Sequence, residues 1–216
     1  AFYSGLKTQD EYIHFAFLSG ATKFGKVSVF SDLNNLVDIS MDARYQAICG
    51  ITEKEMHDYF ENGIRYVAEI NGLTIEETLA KMKRRYDGYH FHQKSDGVYN
   101  PFSLLNTFAK GEFGSYWFET GTPTFLVQLL QRDKFYLPDL TEQQVSADFL
   151  NSIDSIDESP VPIIYQSGYL TIKGYDSEFQ VYTLGFPNEE VEEGFTNFLM
   201  PYYMNTGSES GTMFIR

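Results

Sequence analysis

The stretch Tyr12 to Leu36, YIHFAFLSGATKFGKVSVFSDLNNL, constrains the fold most, because it opens on an aromatic-rich apolar run, Ile13–Leu18, broken only by His14 and closed by Ser19-Gly20. A short apolar run that ends on Ser-Gly reads as a buried strand leaving a sheet through a sharp turn. Thr22, Lys23 and Lys26 follow, a hydroxyl and two ammonium groups just past the strand end. In open α/β sheets, polar groups at that place face a ligand. The spacing Gly20-x-x-x-x-Gly25-Lys26 even imitates a phosphate loop. The imitation fails at Val27, where a Ser or Thr hydroxyl should hold magnesium, and Val27, Val29 and Phe30 alternate like a strand instead of opening a helix.

The 216 residues suffice for one large domain or two small ones, and 43% hydrophobic content with 19 Phe and 16 Tyr indicates a globular chain. A formal net charge of −14, from 16 basic and 30 acidic residues, opposes contact with a nucleic-acid backbone, which needs clustered Lys and Arg. The one basic cluster is Lys81, Lys83, Arg84 and Arg85 at the end of an expected helix. These four are the candidate nucleic-acid-binding residues; their simpler role is to complement a helix C-terminus. The single cysteine, Cys49, excludes an internal disulfide and fits a reducing compartment. With no signal peptide and no apolar span of about 18 residues, a soluble cytoplasmic protein is expected.

Residues 1 to 11 read as a helix end and a polar link, and Ser31 to Leu36 as loop. Thr52-x-x-Glu55 and Thr74-x-x-Glu77 are capping boxes. They predict a helix over 53–70, weakened at Asn62-Gly63, and a second that stops before Asp87-Gly88. Tyr89 to Tyr99 reads as a small hairpin that sets His90 and His92 on one face. No further ligands are spaced to complete a metal site, so no metal is expected there. Asn100-Pro101 starts a helix through Leu104, Leu105 and Phe108, and Thr122-Pro123 another across Phe125 to Leu130. The polar stretch 138–161 reads as a connector. From Ile163 the pattern predicts strand, a Gly174-Tyr-Asp-Ser177 turn and strand, then a helix opened by Pro187-Asn188-Glu189-Glu190. Helices followed by a long hairpin suggest a winged-helix-like module, and residues 205–211 have linker composition.

Six blocks occur in order: TKFGKVSVFSDLNNL (22–36), Gly50-Ile51-Thr52 with Glu55, Tyr86-Asp87-Gly88-Tyr89, Tyr99-Asn100-Pro101-Phe102-Ser103, Trp117 to Pro123, and Tyr165 to Thr171 with Phe186-Pro187-Asn188-Glu189. Together they resemble the bacterial AAA-ATPase-like family, whose members often carry a PD-(D/E)XK nuclease-like domain at the C-terminus. The resemblance spans nearly all of residues 12 to 204. It implies that 13–19 are the sensor strand of a P-loop ATPase core, followed by a helical lid. It also implies a phosphate loop and magnesium motif before residue 1, and ATP and magnesium as cofactors of the whole protein. Gly25 departs from the serine that the family pattern leads one to expect. The nuclease signature is absent, since no Asp-x-Lys or Glu-x-Lys occurs, and neither G-x-S-x-G nor H-E-x-x-H is found.

The expected architecture is therefore α+β and helix-rich. It comprises a remnant ATPase core (1–40), a helical lid region with a small hairpin (41–160), a winged-helix-like hairpin and helix (161–204) and a polar tail (205–216). The expected function is that of a lid, regulatory and interaction portion of an AAA-ATPase-like protein, with no catalytic residue or cofactor of its own. Thr22 and Lys23 are the nucleotide-sensing candidates, and the partner is an N-terminal ATPase half or another protein. A winged-helix nucleic-acid-binding module is the alternative, and no membrane partner is expected.

Overall fold

The structure, a computed structural model, describes residues 9–20, 37–119, 130, 140–141, 143–151 and 159–204. The first half of the described chain is helical because its caps are strong. Helix α1 (Glu53–Tyr59) and helix α3 (Ile75–Tyr86) both start on complete capping boxes. At Thr52 the hydroxyl accepts the Glu55 N–H at 3.2 Å while the Glu55 carboxylate accepts the Thr52 N–H at 2.9 Å. Helix α2 (Glu61–Asn71) ends on Gly72 at φ 65°, a left-handed cap that glycine takes without penalty. Helix α4 (Pro101–Lys110) begins on Asn100, whose side chain accepts the Ser103 N–H.

The break expected at Asn62-Gly63 falls instead at Phe60, between α1 and α2. Gly63 lies inside α2 for a packing reason, since a Cβ there would sit 2.7 Å from the Phe108 ring. The small hairpin is reduced to isolated bridges, Tyr89 with Val98 and Ile51 with Tyr99. Met56, Ile64, Val67, Met82, Tyr86, Tyr99 and Leu104 close over one another as a first core. Each such side chain withdrawn from water stabilises by roughly 1.5–3 kcal/mol before chain entropy is subtracted.

After a short helix α5 (Tyr116–Glu119), the described residues continue with strand β1 (Gln144–Val145), helix α6 (Ala147–Asn151) and helix α7 (Val161–Gln166). Strands β2 (Thr171–Asp176) and β3 (Val181–Gly185) and helix α8 (Glu189–Met204) follow. The three strands form one antiparallel sheet in the order β1-β3-β2. A second core, including Leu150, Val161, Ile164, Leu170, Leu184 and Val191, fills the space between sheet and helices. The chain is thus α+β and helix-rich among the described residues, and no described helix is long and apolar enough to cross a membrane.

Three sequence expectations are corrected. Residues 13–20 form no strand, and Phe15 and Phe17 are exposed, because the described residues offer no flanking strands against which an apolar run could pair. Ile163 to Gln166 is helical, since prolines at 160 and 162 preset the backbone for a first turn, and Gly168 at φ 82° then ends it. The hairpin turn lies at 177–180, three residues later than the glycine suggested. There the Asp176 carboxylate accepts the N–H groups of Glu178 and Phe179, an Asx-type turn that outweighs Gly174. Strand β1 was hidden in the polar connector, because two residues cannot show a period.

Candidate functional site

The blocks 86–89, 99–103, 117–118 and 186–190, far apart in sequence, meet along one seam where α3 and α4 face α5 and α8. Its centre is Glu190, in the first turn of α8, with no exposed surface. One carboxylate oxygen, Oε1, accepts the Trp117 N–H at 3.1 Å. Burial raises the Glu190 pKa, opposed by the Trp117 amide and the Arg85 guanidinium. The other oxygen, Oε2, has no protein partner in hydrogen-bond geometry, and neither do Ser103 Oγ, Tyr89 OH or Asn188 Nδ2, all of them buried. Such atoms normally find a protein or water partner, so this concentration marks a polar knot between two apolar cores.

Close backbone approach fixes the knot. Gly88 takes φ 108°, and a Cβ at that position would lie 2.2 Å from the Pro187 carbonyl oxygen. A register shift between Ile172 and Gly174 in β2 leaves Lys173 unpaired, and its ammonium donates to that same carbonyl at 3.0 Å. At the other end of the seam, Thr171 Oγ1 accepts the His90 N–H at 2.7 Å and donates to the His90 carbonyl at 3.1 Å. Asn188 caps α8 by accepting the Val191 N–H.

The basic cluster lies on this seam and is engaged within the chain. Lys83 pairs with Glu53 at 2.8 Å, Arg84 with Glu189 at 3.2 Å and Arg85 with Glu193 at 3.2 Å. Lys81 places its ammonium 4.2 Å from the centre of the Phe113 ring. Glu53 also accepts the Tyr99 hydroxyl proton. Burial raises the Glu53 pKa, but Lys83 and Tyr99 outweigh it and hold the carboxyl below its ordinary value. The structure therefore brings Lys81, Lys83, Arg84 and Arg85 together, as a surface that already carries its own counter-charges. Thr22 and Lys23 lie outside the described residues.

His90 and His92 serve their own turn. The His90 ring nitrogen Nδ1 contacts the Ser95 carbonyl, and His92 Nδ1 accepts the Lys94 N–H. Among the described residues no cluster of His, Cys, Asp and Glu could hold a metal ion.

Glu190 is the residue that sequence reasoning missed, because four glutamates at a helix start look like simple complements of the helix dipole. A signal was present. Gly194 stands one turn after Glu190 on the same face, and a Cβ on it would sit 2.2 Å from the Phe118 ring. A glycine inside an expected helix marks close approach of another element, and a carboxylate beside it is carried into the contact.

No protein-family model matches the chain, and no solved structure does. Over 205 residues it is 42% identical to a protein of Azotobacter chroococcum mcd 1 named "Uncharacterized protein in vnfD 5'region". The match covers 94% of this chain and 37% of that protein, so the chain spans little more than a third of its relative's length.

Proposed function

We propose that this chain is the lid, regulatory and interaction portion of a longer AAA-ATPase-like protein, in which another part holds ATP and magnesium. The observation that carries the reading is the seam itself, two separate apolar cores joined by two ion pairs beside a buried carboxylate. A switching element needs two packed bodies whose contact can be remade at modest cost, and polar contacts provide that better than a continuous apolar core. The relative's greater length and the sequence blocks support the same reading. Within it, Thr22 and Lys23 are the groups that meet the terminal phosphate, a hydroxyl donor and a point charge that distinguish triphosphate from diphosphate.

The test is Lys23→Ala in the longer protein. ATP turnover or nucleotide-dependent closure falls while the free energy of unfolding changes by no more than about 0.5 kcal/mol. Wild-type turnover in that variant removes Lys23 from the nucleotide-sensing role.

A further inference from the structure

Tyr86 and Arg85, at the end of α3, each hold the point where the chain passes from the first core to the second. The Tyr86 hydroxyl accepts the Gly114 N–H at 3.0 Å and donates to the Gly114 carbonyl at 3.0 Å. Its ring is fully buried in the first core and stacks on Phe113, which packs there too. The next residue after the clasp, Ser115, receives a hydrogen bond from Arg85 Nη2 at 3.2 Å. The same guanidinium reaches across the seam through Nη1 to Glu193 of α8. Arg85 is only 16% exposed, whereas Glu193 is half in water at 52%. From Tyr116 onward the chain belongs to the second core through Trp117 and Phe118, which pack with Tyr169.

We infer that Gly114-Ser115 is a hinge and that Arg85 with Tyr86 is the latch that keeps it closed, so that α8 and the hairpin swing from α3 when the latch opens. The physical case rests on what crosses the seam. Apart from the Tyr89 ring and Met41, which pack on the second core, the side-chain ties that cross are polar: Arg84 to Glu189, Arg85 to Glu193, Tyr182 to Gln93, and Thr171 to the His90 backbone. Polar ties exchange for water at low cost, whereas apolar burial does not. Opening also hydrates Glu190 Oε2, Asn188 Nδ2 and the unpartnered Arg85 Nε, which offsets part of the loss. The hinge is a two-residue link between packed elements, the usual place for a large backbone change. This inference rests on the lid reading for its purpose, but not for its test.

The test uses the whole chain in a Cys49→Ser background, with spin labels on cysteines placed at two exposed sites, Glu76 of α3 and Asn197 of α8. Electron paramagnetic resonance then reads the distance distribution between them. The closed seam gives one population. Glu193→Gln, which removes the charge of an exposed partner and leaves both cores untouched, raises the open share, and Tyr86→Phe adds to it by freeing Gly114 while filling the same space. Together they raise the open-to-closed ratio roughly tenfold, the factor that ~1.4 kcal/mol represents. A single unchanged distance in the folded double variant overturns the latch. A longer population in the chain combined with Lys23→Ala turnover like wild type keeps the latch and removes the lid reading.

Discussion

Glu190 is where the chemistry of single residues is most consequential. Its folded-state pKa is raised by burial, so the native protein binds the proton more tightly than the unfolded chain does. The resulting stability contribution is complete below the unfolded glutamate pKa of about 4.3, and it is lost as pH rises through the folded value. Glu190→Gln keeps an oxygen for the Trp117 N–H and cannot ionise. Urea unfolding is therefore expected to show the variant gaining on wild type as pH rises above that unfolded value. Parallel stability profiles over that range contradict the assignment. Other residues were easier to read from sequence. Thr52, Thr74 and Asn100 act through neighbours three residues away, so their roles as caps stood in the local pattern. Glu190 acts through residues 73 positions distant, which no local pattern encodes.

At the level of elements, helices α1, α3 and α4 follow from their caps, and each box holds two amide groups that would otherwise be orphaned. Thr74→Ala is expected to cost about 1 kcal/mol, with Thr74→Gly costing only a few tenths of that, because glycine still serves as a cap. Chemical denaturation of both variants checks this; equal losses would mean that the threonine matters for packing instead. Where sequence reading failed, a distant or competing contact decided the outcome. The apolar run 13–18 has strand composition but no partner strand among the described residues, and Ile163 to Gln166 has strand composition but follows Ser159-Pro160-Val161-Pro162, a helix start. Gly174 has turn composition, yet the Asp176 carboxylate, two residues closer to β3 than the expected start of the turn, gathers two amides and turns the chain there. Propensity reports what a residue tolerates, and hydrogen-bond partners decide what it does.

At the scale of the whole molecule, the acidic balance and the engaged basic cluster point the same way. Ten of the basic residues lie among the described ones, and Arg44, Lys54, Arg65, Lys83, Arg84 and Arg85 each pair with a carboxylate of this chain. Duplex DNA is expected to bind with a dissociation constant no tighter than about 10⁻⁶ M at physiological salt, the tight edge of non-specific binding. A shifted band at nanomolar protein in that salt would promote the winged-helix reading. The two-core organisation was not legible, because the division depends on which helix packs on which, while the four blocks that meet at the seam could be read individually but not placed. Hydrogen exchange on the longer protein, in ATP and then in ADP, tests the account most directly. Amides of residues 84–93, 113–118 and 187–193 are expected to exchange at different rates in the two nucleotides while those buried in each core stay unchanged. Identical exchange along the seam in both states would contradict it.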